Sequence, residues 1–343
     1  MCGGLTERHK LNLQVLFGRG EIVNLSALKN KGFRWLAVKV QRQKQKWVCL
    51  FSLRFRARIC LSSRGLELGM RRNCNMKQDA ETISLPQALA PDIPCRKYID
   101  GRWEQTTLSV PKEIAFTIYI NNQELVTILC TPFNLNCLVL GYLVSEGIVT
   151  EPKDVASMRV CEEDALADVK LNRHDFLLPQ KRILTSGCGG GTTLGVNMGA
   201  AKIRTDIRVA PKQLLHLMRH MLERAKLYSL TGGIHTSALC DNKEVIVVGE
   251  DIGRHNTIDK IVGECFLRKI PTRDKILLTS GRISSEMALK VAKMQVPVVA
   301  SLTSPTEKAV TLAHDFDITL AGYARGTHFT VYTRPDRLGA GPG

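Results

Sequence analysis

One cysteine in this chain stands in a setting suited to covalent chemistry. Cys188 lies in the stretch LTSGCGGGTTLG (184–195), flanked by Gly187, Gly189, Gly190 and Gly191. Glycine loses more backbone freedom on folding than any other residue, so a run of it has to serve a purpose. Here it lets the backbone approach a ligand and leaves the sulfur unshielded. A thiolate ringed by backbone N–H groups has a lowered pKa and acts as a nucleophile. The alternative is a buried structural thiol. That suits Cys130 and Cys137, which lie in apolar surroundings, better than it suits Cys188.

A second set of residues can hold an anion. GEDIGRHN (249–256), TSGRISSEM (279–287), SLTSPTE (301–307) and GYARGTH (322–328) each carry glycine, Ser/Thr or a cation. Such loops are either ordinary turns and caps or, where several converge, a pocket for phosphates and sugar hydroxyls. His235, in TGGIHTSAL, and His255, in GEDIGRHN, flank glycines in loops and are candidate site histidines. His216 and His220, spaced i and i+4, read as a solvated helix face rather than a metal pair, since no HExxH surrounds them. The HxE…PCxxC signature of zinc deaminases is absent, which predicts no catalytic zinc. No GxGxxG or GxxxxGK[ST] supports a dehydrogenase or an ATPase.

The elements that must position these residues are most regular in the second half. PKQLLHLMRHMLERAKLY (211–228) carries Leu214, Leu215, Met218, Met221, Leu222 and Ala225 on one helical face. EVIVVGED (244–251), KILLTS (275–280), VPVVAS, DITLAGYA and FTVYT read as strands. TIDKIVGECFLRK, SSEMALKVAKM and SPTEKAVTLAHDF read as helices, the last with Ser304 as N-cap and Glu307 completing a capping box. Continuous Val/Ile/Leu strands between amphipathic helices predict a mainly parallel sheet covered on both faces. Ligands then sit at the carboxyl ends of the strands. Upstream, EIAFTIYINNQELVTILC (113–130) reads as a hairpin around Asn121-Asn122. Residues 131–149 read as a helix ending near Gly147, followed by a polar stretch.

The net charge of +16 is unevenly placed. Residues 1–76 hold 16 Lys+Arg against Glu7, Glu21 and Glu67, a net of +13, which leaves 32 against 29 and a net of +3 for the remainder. A basic total therefore does not predict a nucleic-acid face on the globular part. The first 76 residues read as a basic arm, a targeting peptide or an over-long start before Met76; the last is preferred, and no function is placed there. Eleven cysteines at irregular spacing, no CxxC, no secretory h-region and no long apolar run predict a cytoplasmic protein with free thiols and no membrane span. The expected organisation is a linker over 77–95, a smaller α+β part over 96–183, an α/β domain over 184–335 and a tail over 336–343.

The blocks TGGIHTSAL, GEDIGRHNTIDKIVG, TSGRISSEM, SLTSPTEKAVTLA and GYARGTHFTVYT, with TPFNLNCLVLGYLVSEG and TSGCGGG, occur together and in order. Over about residues 96–335 they closely resemble the FdhD family, the formate dehydrogenase accessory sulfurtransferases. The resemblance implies a cytidine-deaminase-like three-layer α/β/α core behind a smaller α+β part, usually as a homodimer. It implies a carrier that takes sulfur from a cysteine desulfurase as a persulfide. The sulfur goes to the molybdenum (or tungsten) bis(molybdopterin guanine dinucleotide) cofactor before that cofactor enters formate dehydrogenase. The persulfide cysteine maps onto Cys188, and the cofactor-contacting segment onto Tyr323, Ala324, Arg325, Gly326, Thr327 and His328. Arg254 and Arg282 are further pyrophosphate partners on chemical grounds. Many members carry a CxxC, and its second position here is Gly191. Cys240, Cys161 or a thiol of a second subunit are then the candidates to resolve a persulfide. A second reading is a non-catalytic chaperone that delivers the same cofactor.

Overall fold

The computed structural model describes residues 11–17, 21–30, 33–42, 45–52, 88–173, 182–184, 192–194 and 201–341. The chain divides into two compact units, Met1–Lys77 and Gln78–Gly343. In the first, β1 (Leu11–Phe17), β2 (Glu21–Asn30), β3 (Phe33–Arg42) and β4 (Gln45–Ser52) form an antiparallel meander in chain order.

The second unit begins with a hairpin, β5 (Asp92–Ile99) and β6 (Arg102–Ser109), joined by Asp100-Gly101 with φ of 48° and 83°. β5 starts inside the stretch expected to be a linker; the Asp-Gly turn is its sequence signal. β7 (Ile114–Ile120) and β8 (Gln123–Cys130) form the expected second hairpin, with positive φ at both Asn121 and Asn122, the geometry that suits the twist of the strands. The stretch expected to be merely polar supplies β9 (Val155–Cys161) and β10 (Leu166–Leu171), completing a sheet of order β8-β7-β10-β9. α1 (Leu135–Ser145) packs on this sheet, where Phe116, Ile118, Ile128, Leu138 and Leu143 are buried together, and the chain turns at Gly147 with φ 73°.

Two short strands, β11 (Arg182–Leu184) and β12 (Thr192–Leu194), pair antiparallel. The amphipathic helix follows as two pieces, α2 (Pro211–Arg224) and α3 (Lys226–Thr231), broken at Ala225 with ψ 84°. Leu214, Leu217, Met218 and Met221 are its buried residues; Leu217 joins the face in place of Leu215.

The main sheet comprises β13 (His235–Cys240), β14 (Val245–Asp251), β15 (Ile276–Thr279), β16 (Val298–Ser301), β17 (Thr319–Arg325) and β18 (His328–Thr333), in order β14-β13-β15-β16-β17-β18. Only β15, β16 and β17 run parallel; β13, β14 and β18 pair antiparallel. The expected mainly parallel sheet is thus mixed. Two of the three antiparallel pairs, β13–β14 and β17–β18, are hairpins whose short turns return the chain antiparallel; the third, β13–β15, is set by which strands become neighbours.

Helices α4 (Arg254–Arg268), α5 (Ser285–Lys293) and α6 (Glu307–Asp315) follow β14, β15 and β16 in the chain. Ile258, Ile261, Val291 and Ala309 pack with Leu239, Leu277 and Val299 in one cluster, while α2 packs with Ala238, Leu278 and Ala300 in another. This is the three-layer α/β/α core. α6 is capped by Thr306, whose hydroxyl accepts from Ala309 N, and not by Ser304. Ser304 and Pro305 are held in extended backbone by the Ile283–Pro305 bridge, which delays the helix by two residues. The chain end is not a loose tail, since Arg337 is 1% exposed and its Nη2 lies 2.9 Å from Asp317 Oδ2.

α1 crosses α4 with glycine on both sides. A Cβ on Gly141 would overlap the carbonyl of Asp259, and one on Gly263 that of Cys137. Backbone-close packing brings Lys290 and Ser145 onto Asp259, at 2.6 Å and 2.7 Å.

Candidate functional site

The four candidate anion-binding loops meet at one edge of the main sheet, where β15, β16 and β17 end and β13 begins. His235 pairs with Asp251 in register, and Ser237 with Thr279. Behind the edge runs a buried hydroxyl chain. Ser237 Oγ lies 2.7 Å from Thr257 Oγ1 and 2.9 Å from Thr279 Oγ1; Thr279 Oγ1 accepts from Gly281 N, and Thr257 Oγ1 donates to the Arg254 carbonyl. Sequence reasoning passed over Ser237, Thr257 and Thr279. Their signal is polarity at fully buried strand and helix positions.

Gly281 is the tight point. A Cβ there would come within 2.9 Å of Arg254 Cβ and 3.3 Å of His235 Nδ1, so only glycine lets these side chains close on the loop. Ser280 Oγ lies 3.5 Å from His235 Nδ1. Burial holds the His235 pKa below its ordinary value; the Arg254 charge adds to this, and Asp251 opposes it. His235 is therefore a neutral hydrogen-bonding group at neutral pH.

His255 and Arg254 stand in the first turn of α4, not in a loop as expected, because the helix begins directly after Gly253. His255 Nε2 lies 3.0 Å from Glu286 Oε2 in the first turn of α5. The N-termini of α4, α5 and α6 all open at this edge, and α4 has no acid in its first turn. Free N–H groups and the helix dipole there favour an anion. Arg282 lies exposed in the loop after β15.

The segment Tyr323–His328 forms the β17–β18 hairpin at the same edge. Arg325 pairs with His328 across a two-residue turn, with Gly326 at φ 60°. Tyr323 sits at an irregularity in the ladder with φ 53°, a left-handed conformation that costs a tyrosine roughly 1–3 kcal/mol and is typical of functional sites. Its N–H donates to the Thr303 carbonyl at 3.1 Å, which holds it in place. The ring is exposed, and the Arg325 guanidinium carbon stands 5.9 Å from its centroid. A flat ring and a cation side by side can stack a base and neutralise a phosphate. Tyr323, Arg325, Gly326, Thr327 and His328 are exposed, while the Ala324 side chain is wholly buried and leaves only its backbone to a ligand.

Cys188 and Gly191 lie outside the described residues. The other thiols can be assessed. Burial pushes Cys130, Cys240 and Cys265 up to about 12 and Cys137 up to about 11. These are inert packing residues. Cys240, a candidate to resolve a persulfide, is fully buried in β13, with its thiol shielded from solvent. Cys161 is half-buried with Sγ 3.0 Å from Asp164 Oδ2. His216 and His220 lie with ring centroids 4.0 Å apart on α2. Among the described residues no group of three or more His, Cys, Asp or Glu gathers to hold a metal, and no helix is long and apolar enough to cross a membrane.

Comparison with known proteins matches this arrangement to one family. Residues 111–339 match the FdhD/NarQ family profile. The chain is 38% identical over 251 residues to the sulfur carrier protein FdhD of Staphylococcus aureus (strain MRSA252) and 38% identical over 250 residues to that of Staphylococcus haemolyticus (strain JCSC1435). Each alignment covers 71% of this chain and 95% of the relative. A crystal structure from Desulfotalea psychrophila, assigned as a formate dehydrogenase accessory protein, shares the fold with a TM-score of 0.61 at 23% identity. That match covers 73% of this chain and 99% of the other. With two thirds of its length matched by the profile and relatives spanned almost end to end, the chain belongs to the FdhD/NarQ family.

Proposed function

We propose that this protein is a sulfur carrier of formate dehydrogenase maturation. In this reading the Cys188 thiolate attacks the persulfide of a cysteine desulfurase. The S–S bond of the donor breaks, its cysteine leaves as a thiolate, and Cys188 becomes the persulfide. The sulfane sulfur then passes to the molybdenum or tungsten bis(molybdopterin guanine dinucleotide) cofactor, the bound substrate, whose reduced metal would supply the two electrons that make it a sulfide ligand, and Cys188 is left as the thiolate. The chain's own part is to hold that substrate. Arg325 and the backbone of the β17–β18 hairpin, with Arg254 and the start of α4, face its phosphates; Tyr323 offers a stacking face to guanine. The reading extends to action in the cytoplasm as a homodimer.

The observation that carries it is the single sheet edge on which an exposed, strained Tyr323, the Arg325 cation and three helix N-termini are gathered. Relatives named as sulfur carrier proteins support the transfer step. Glycine at position 191 favours a second reading, a chaperone that binds and delivers the cofactor without carrying sulfur.

Intact-mass spectrometry with peptide mapping separates the two. Incubation with a cysteine desulfurase and cysteine adds one sulfur, about 32 Da, to the Cys188 peptide, reversibly by reductant. Absence of that adduct, with GDP binding intact, leaves the chaperone.

A further inference from the structure

The opposite edge of the main sheet, where β15, β16 and β17 begin, carries a pocket unrelated to the site above. Its volume is about 370 Å³, and it is lined by Lys202, Ile203, Arg204, Arg273, Asp274 and Gln295, with Ala201 at its rim. Residues 201–209 run extended across this edge, tied by Ile203 N to the Phe316 carbonyl and by Val209 N to the Arg337 carbonyl, both at 2.9 Å. Exposure alternates along them: Ile203 and Val209 face the core while Lys202 and Arg204 face solvent. Arg273 approaches from the turn before β15, and Gln295 from the turn before β16, where its Nε2 donates to the Ala292 carbonyl at 3.0 Å.

Three cations thus converge on one cavity. The single carboxylate in the lining, Asp274, is engaged by Thr205 Oγ1 at 2.5 Å. Among the described residues neither Lys202, Arg204 nor Arg273 forms an ion pair, although eleven other cationic side chains, three of them histidines, do. The lining has no aromatic ring to stack a nucleobase and one buried apolar side chain, so recognition rests on charge.

We infer that this pocket docks an acidic peptide segment of a partner protein, seating side-chain carboxylates between Lys202, Arg204 and Arg273. Charge complementarity selects the occupant, and the extended row of residues 201–209 gives a peptide a straight track. Each of β15 and β16 spans four residues, ~13 Å, so this partner and a ligand at the Tyr323 edge can be bound at once. Its use by the sulfur donor rests on the carrier reading above; the pocket's affinity for acidic peptide does not, so the persulfide experiment and the following one fail independently.

Carbodiimide cross-linking of the full chain to a hexaglutamate peptide, followed by peptide mapping, reads the site by position. A glutamate carboxylate condenses with the Lys202 amine to an amide, and the carbodiimide takes up the water as a urea. Lys202 is expected to be labelled at least fivefold more than the exposed Lys226 and Lys308. The double variant R204E/R273E is expected to lose that excess while adducts on residues 1–77 persist, and the milder R204Q/R273Q to lose most of it with an unchanged melting temperature as the check on folding. Equal labelling of the three lysines, or labelling of Lys202 that survives both variants, overturns the inference. So does suppression by inorganic phosphate at an ionic strength where chloride has no effect, since the pocket would then take a free oxyanion.

Discussion

Lys260 Nζ lies 2.6 Å from Asp251 Oδ2, and both side chains are withdrawn from water. The same carboxylate accepts from Thr131 N at the end of β8, and from Gly253 N and Asn256 Nδ2 at the start of α4. Lys260 Nζ also donates to the carbonyls of Thr131 and Glu250. One buried pair therefore locks the smaller sheet to the edge of the larger one and fixes the helix turn that carries Arg254 and His255.

Removing one member strands a buried charge, which costs far more than the loss of one ordinary hydrogen bond. Lys260→Met is expected to cost about 3–5 kcal/mol in urea unfolding. Measured at low urea, GDP binding should weaken as well, since the start of α4 loses its anchor. A loss below about 1 kcal/mol would show that water reaches Asp251.

The glycine crossing gives a second, purely steric expectation. Gly263→Ala places a methyl group on the Cys137 carbonyl, so α1 and α4 must separate. A cost of about 3 kcal/mol is expected, the upper end for overpacking. Gly232→Ala, where nothing lies within 4 Å but φ is 63°, should cost only about 1 kcal/mol, from backbone strain alone. Thermal melts of the two variants, compared side by side, test the distinction.

His235 makes stability depend on pH in a defined direction. Its folded pKa lies below the unfolded value of about 6.5. The unfolded chain therefore binds the proton first on acidification, and stability falls as pH drops from the unfolded value through the folded one. His235→Gln should flatten the melting temperature between about pH 7 and pH 5 relative to the parent. Parallel pH profiles would refute the assignment.

At the hairpin, binding and folding should separate. Arg325 is exposed, so Arg325→Ala is expected to leave the melting temperature within about a degree while weakening GDP roughly tenfold through the lost phosphate contact. Isothermal titration at two salt concentrations checks it, because the deficit should shrink as salt screens the parent.

Thiol reactivity should be selective. Cys240, with its pKa raised to about 12 by burial, is expected to resist iodoacetamide in the folded chain at pH 8 and to react only in denaturant. Cys240→Ala should leave sulfur loading of Cys188 unchanged. Loss of loading would make Cys240 part of the relay after all.

The sequence by itself determined the elements whose cause is local. The Asn121-Asn122 hairpin, the stop of α1 at Gly147 and the apolar strands β14 to β17 follow from turn chemistry and side-chain pattern, which need no distant partner. It also determined the family, because blocks such as GEDIGRHNTIDK are specific as written. Tertiary structure alone decided the rest. Strand direction in the main sheet depends on which strands become neighbours, and the delayed start of α6 depends on Ile283 bridging Pro305 from another loop. Ser237, Thr257 and Thr279 become one hydroxyl chain only when β13, α4 and β15 are packed together. Lys202, Arg204 and Arg273, about seventy residues apart in the chain at the extremes, become one cationic pocket for the same reason: hydrogen bonds and charge act across space, over distances the sequence order does not record.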